Sequence, residues 1–127
     1  MSADIERWLS DYADFLHSQW GLDKSFSVSA ALLVLYLHYY GLSPVVTSGF
    51  RSPEKQQELL RRWESGDPSI KYKPATNSKH MHTGWLGSPA SLAIDISTSN
   101  AEMAARIAKA IGVRAGYDFG DPVHFYI

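Results

Sequence analysis

The chain contains no cysteine. Disulfides and thiolate metal sites are therefore excluded, and any metal must be held by histidine and carboxylate. Long apolar runs are also missing: the longest, Ala30 to Leu37, is far too short to span a bilayer. Neither sign of charge dominates. Twelve Lys and Arg stand against thirteen Asp and Glu, a formal net charge of -1, so no strong field draws the chain to nucleic acid or anionic lipid. The opening stretch MSADIERWLSDY carries Asp and Glu where an export signal would carry Lys or Arg, so no signal peptide is expected. Internal repeats, low-complexity tracts and linkers are absent as well.

What remains is the composition of an ordinary soluble domain. With 127 residues, 45% of them hydrophobic, the chain can bury one core, so a single domain over 1–127 is expected. Apolar residues at Ile5, Trp8, Leu9, Tyr12, Phe15 and Leu16 fall on one face of a helix running to Trp20 and stopped by Gly21. A second helix, Val28 to Tyr40, is apolar almost all round and ends at Gly41. A third, Pro53 to Ser65, has Ser52 as N-cap and Gly66 beyond its end. A capping box from Ser99 to Glu102 opens a fourth, which reaches Ile111 before Gly112. Strands are expected at Pro44 to Ser48, Ser78 to His82, Leu92 to Ile96 and Val123 to Ile127. The fold class is α+β, with a small, mainly antiparallel sheet flanked by about four helices. Residues 1–43 supply N-terminal helices and 44–127 a core that carries the motifs. Two loops rich in breakers, Gly66 to Asn77 and Thr83 to Ser91, read as rims of a cleft or as lids.

The chemistry lies in the second part. Leu92, Ile94 and Ile96 share one face of a strand, which sends Asp95 to the other, where a carboxylate needs a partner or serves as a cap. His80 and His82 are two apart and would emerge together from an extended segment. His124 follows Asp121 by three residues. Two histidines and one carboxylate form the smallest protein ligand set of a catalytic zinc, and a further carboxylate such as Asp121 suits the proton transfers of carbonyl hydrolysis. Arg51 stands before the helix start at Ser52, where the helix dipole does not favour it. It fits an anion pocket for a substrate carboxylate, or a structural salt bridge to Glu54 or Asp95. His17 reads as a surface residue and His38 as a packed one, while Tyr117 and Asp118 could reach the site.

In order along the chain, Ser48-Gly-Phe-Arg-Ser52 with Gln56, Ser78-Lys-His80, Ala93-Ile-Asp-Ile96 and Asp121-Pro-Val-His-Phe125 resemble the motifs of one peptidase family. It is the zinc D-Ala-D-Ala carboxypeptidase and L-alanyl-D-glutamate endopeptidase family, the VanY-like peptidases, which includes many bacteriophage endolysins. The Hedgehog signalling domain is a distant structural relative. The resemblance covers about Val45 to the C-terminus. It implies a Zn2+ site made by His80, Asp95 and His124, with Asp121 in the place of the general base, usually glutamate. Arg51 would hold substrate or oxyanion, and Ser78 and Gln56 match flanking motif positions. His82 is the reserve candidate for the first ligand and otherwise a rim residue. The family usually spaces its middle motif more tightly: here fifteen positions separate His80 from Asp95, an excess of eight.

The implied activity is hydrolysis of the peptidoglycan stem peptide by a zinc metallopeptidase. Such a protein is expected to be made in the cytoplasm and to act at the cell wall, as a released phage endolysin or as a lysin among virion proteins. The rival expectation is a catalytically silent domain of the same fold, used as a structural or peptide-binding module, for instance in a phage tail.

Overall fold

A computed structural model describes residues 2–127. The fold is α+β: four α-helices and one four-stranded antiparallel sheet. Helices α1 (Ala3–Trp20) and α2 (Lys24–Tyr39) come first, followed by strand β1 (Val45–Ser48) and helix α3 (Pro53–Glu64). Strand β2 (Ala93–Ser97), helix α4 (Ala101–Ala110), and strands β3 (Arg114–Ala115) and β4 (His124–Tyr126) complete it. The strand order is β1-β2-β4-β3.

Helix ends follow local chemistry. Asp23, Ser52 and Asn100 each accept a hydrogen bond from the backbone N–H three residues on, which satisfies one of the free donors of a first turn. The caps at Asp23 and Asn100 correct two expected starts. α2 begins four residues before Val28, and α4 is capped one residue after Ser99, whose own N–H is taken by the Leu42 carbonyl at 2.9 Å. Gly21, Gly41, Gly66 and Gly112 follow the four helices with φ between 66° and 87°, the left-handed region in which a side chain would be strained.

One face of the sheet carries Ile94, Ile96 and Phe125 into a core shared with α1, α2 and α4, where Leu16, Phe26, Leu33, Leu37 and Ala108 are buried. The side-chain period of two sends Asp95 and His124 to the opposite face. Helix α3 contributes no residue to this core; its one buried side chain is Gln56. Its Gln56 and Leu59 line the same cleft as Asp95 and His124. His38, expected to be packed, is exposed, because Leu37 holds the inward position on that turn of α2. No helix among the described residues is long and apolar enough to cross a membrane.

Candidate metal centre

Three atoms meet at one point. His80 Nε2 lies 3.1 Å from Asp95 Oδ1 and 3.2 Å from His124 Nδ1, and the third side of the triangle, His124 Nδ1 to Asp95 Oδ1, is 3.3 Å. Zinc–nitrogen bonds of about 2.0–2.1 Å give a tetrahedral ligand set an edge of about 3.3 Å, so the spacing suits a small cation. The donor chemistry agrees. His80 Nδ1 is 2.7 Å from the Gly49 carbonyl, which can only accept, so that nitrogen carries the proton and Nε2 presents a lone pair. A carboxylate oxygen and a second imidazole nitrogen face it. His80, Asp95 and His124 could thus hold a metal ion.

Local sequence explains each position. Asp95 and His124 are direct partners across β2 and β4. The bond from Ile96 N–H to Val123 O marks theirs as a non-hydrogen-bonded pair, the kind whose side chains come closest. His80 does not come from a strand. The expected strand over 78–82 is a 3-10 turn, Lys79–Met81, capped by the Ser78 hydroxyl, which accepts from the His80 N–H at 3.1 Å. Ser78 therefore sets the backbone that aims His80. The turn also separates the two histidines that an extended chain would have put side by side. His82 is exposed and its Nδ1 lies 2.9 Å from the Ala90 carbonyl. It is not brought to the triangle.

Arg51 is fixed by three partners. Its Nη2 donates to Asp95 Oδ2 at 2.7 Å, Nε to the Ser48 hydroxyl at 3.1 Å, and Nη1 to Gln56 Oε1 at 3.3 Å. The salt bridge to Asp95 is thus formed, and it leaves Oδ1 to the triangle. Two of the five guanidinium N–H groups stay uncommitted, and Arg51 lines the cleft. Register irregularity in β1 between Val46 and Ser48 places Ser48 opposite Asp95, within reach of Arg51. Gln56, only 3% exposed, also donates from Nε2 to the Ala75 carbonyl at 2.7 Å, so it ties Arg51 to the loop 66–77.

Burial alone would push the Asp95 carboxyl up. With the imidazoles protonated, hydrogen bonds from His124 and His80 and the charges of His80 and Arg51 overcome it and hold the group well below the usual carboxylate range. Asp121 differs. Burial raises its carboxyl above the ordinary value, helped by the negative charge of Asp95 and opposed by His124, His80 and Arg51. Asp121-Pro122-Val123-His124 forms a turn in which the His124 N–H meets the Asp121 carbonyl at 3.3 Å, so Asp121 and His124 stand side by side. A Cβ on Gly116 would fall 2.7 Å from the Asp121 carbonyl oxygen and 3.1 Å from His124 Cβ, which explains a glycine there.

The triangle sits in the wall of a cleft of about 520 Å³, which also exposes Asp121, Gln56, Tyr72 and Tyr126. That volume is within the range of about 300–1,000 Å³ for ligand sites. The wall opposite the sheet comes from the loop 66–77. No residue of 83–91 lines the cleft, so the lid expected there is not one. That segment closes on itself instead: Thr83 bridges Pro89, and the Gly84 N–H donates to the Ser88 carbonyl at 2.8 Å. Its tip presents Trp85 and Leu86, 84% and 89% exposed. Asp118 is paired with Lys109 at 2.7 Å on the surface, Tyr117 is exposed, and neither lines the cleft.

No protein-family model matches this chain, and no curated protein matches it in sequence.

Sequence reasoning missed the Gly49 carbonyl and Tyr126. Tyr126 lies two residues after His124 on the same strand, with ring centres 5.1 Å apart, so the period of two could have found it. A backbone carbonyl leaves no signal in a sequence.

Proposed function

We propose that the chain is a zinc-dependent peptidase that cleaves the stem peptide of peptidoglycan. One observation carries the reading: two imidazole nitrogens and a carboxylate oxygen, 3.1–3.3 Å apart, at the wall of a cleft that also holds a separate carboxylate of raised pKa. Ligands that leave a position open, beside an acid not bound to metal, are the parts list of a hydrolytic zinc site.

His80, Asp95 and His124 would hold the zinc, and the Gly49 carbonyl and Arg51 would fix the orientation of His80 and Asp95. Bound there, zinc supplies Lewis acidity, which polarises a carbonyl and acidifies water. Asp121 accepts a proton on its carboxylate and returns it to the leaving amine nitrogen, a task that a raised pKa favours. Arg51 offers its two uncommitted N–H groups to a substrate carboxylate or to the oxyanion. Gln56 and Ser78 act through others, as positioning residues for Arg51 and His80. The proposed site of action is the cell wall, reached by a released phage lysin or by one carried in the virion; detection of the chain in purified virions separates the two.

The test is digestion of purified sacculi with zinc-loaded protein, read by mass spectrometry of released fragments. Stem-peptide fragments should appear, stop with chelator, and be absent for His124→Ala, which should lose zinc and activity together. Fragments released by His124→Ala would sink the assignment. A second reading, a silent binding module of this fold, draws on Arg51 being engaged mainly by Asp95 rather than held free in the cleft. Zinc uptake with no fragment release would favour it.

A further inference from the structure

We propose that the cleft reads charge on its substrate: Lys71, Lys73 and Lys79 favour a stem peptide with a free carboxylate over the same peptide with that group amidated. The inference rests on the stem-peptide reading above. It begins from an imbalance. The chain as a whole is near neutral, yet the cleft gathers four of its twelve Lys and Arg, Arg51 and these three lysines, against only Asp95 and Asp121.

Asp95 is spent on Arg51 and the two histidines. Neither Lys71 nor Lys73 forms a salt bridge among the described residues, whereas Lys55, Arg62, Arg106 and Lys109 do. Unpaired cations gathered in a concave site raise the local concentration of anions. Lys79 is the best placed of the three lysines. It precedes His80, so it stands next to the first candidate ligand, and its ammonium lies 5.2 Å from the centre of the Tyr126 ring and contacts the Ile127 carbonyl. Those contacts hold the side chain over the Tyr126 ring at the edge of the cleft. Lys73 lies 5.8 Å from the ring centre of Trp63, a contact that ties the loop 66–77 to α3, and both Lys71 and Lys73 line the cleft. A stem peptide carries a γ-linked D-glutamate whose α-carboxyl is either free or a carboxamide. A lysine distinguishes the two, because an ammonium gains a charge-assisted bond only from the carboxylate.

The experiment uses zinc-loaded protein and two synthetic pentapeptides, L-Ala-γ-D-Glu-L-Lys-D-Ala-D-Ala and its D-isoglutamine counterpart, with binding measured by calorimetry and cleavage by mass spectrometry. The acid form should bind about tenfold more tightly, and the advantage should shrink as salt rises from about 50 to about 300 mM. All three lysines are exposed, so Lys71→Met/Lys73→Met/Lys79→Met should keep the fold. That variant should lose the tenfold advantage while its affinity for the amide form stays unchanged. Equal affinity of the wild type for both peptides would overturn the proposal, as would an advantage that survives in the triple variant. Lysine-dependent preference in binding with neither peptide cleaved would leave this inference standing and count against the peptidase reading. Equal cleavage of both peptides would do the reverse.

Discussion

Replacing each histidine of the middle motif separately, and measuring how much zinc stabilises the variant, decides which of them is the ligand. A ligand that binds the folded state alone stabilises it by RT ln(1 + [L]/Kd), about 2.7 kcal/mol at a hundredfold excess over Kd. For 127 residues at about 2.1 cal/mol/K each, the unfolding entropy is about 0.27 kcal/mol/K. Their quotient is a Tm rise of about 10 °C. Scanning calorimetry of the wild type, with zinc and with chelator, should show that rise. His82→Ala should keep all of it, since His82 is exposed and turned to the Ala90 carbonyl. His80→Ala and His124→Ala should lose nearly all of it, because two remaining ligands hold zinc weakly. The rise should also shrink in acid, because protons compete with metal for the ligand atoms. A wild type with no rise, or a His82→Ala variant that lost it, would refute the reasoning.

Other outcomes follow from the surroundings of the triangle. Asp121→Asn should retain zinc and the Tm rise while kcat falls about 10²- to 10⁴-fold in muropeptide cleavage. Because the Asp121 carboxyl is raised, the acid limb of the pH–rate profile should lie above the ordinary aspartate value and disappear in that variant. Gln56→Ala removes a buried bond to the Ala75 carbonyl and one to Arg51, so urea unfolding should show a loss of about 2–4 kcal/mol. Gln56→Glu restores only the Arg51 partner and sets a carboxylate against the Ala75 carbonyl, so limited proteolysis should still find a loosened loop. Asp67 is held down to about 2 by the Ser69 hydroxyl, the Ser69 N–H and Arg62. Its folded pKa lies below the unfolded value, so its stabilising share is complete above about pH 4 and is lost as pH falls through about 2. In Asp67→Asn that acid-dependent loosening of the loop should be missing from amide exchange.

Much of this was legible because the signals are local. Gly21, Gly41, Gly66 and Gly112 closed helices where they were expected to, and the alternation of Ile94, Asp95 and Ile96 correctly turned the carboxylate away from the core. The segment from Ser78 to His82 misled because its polarity pattern suits a strand, while the Ser78 side chain holds the backbone in a tight turn. Strand β3 is two residues long and gave no period to read. Gln56 could be matched to a motif, yet its task depends on the Ala75 carbonyl nineteen residues away, a contact that only the folded chain makes.

The segment between His82 and Ala90 has a sealed neck. Each of these two residues bonds the other: the Ala90 N–H reaches the His82 carbonyl, and the Ala90 carbonyl lies against the His82 ring. The tip beyond this neck, Trp85 and Leu86, is exposed and lines no part of the cleft, so changes there should place little demand on the site. The neck is a natural grafting point. A tag, a wall-binding peptide or a fluorophore set in place of Trp85 and Leu86 should ride on the protein without disturbing the triangle.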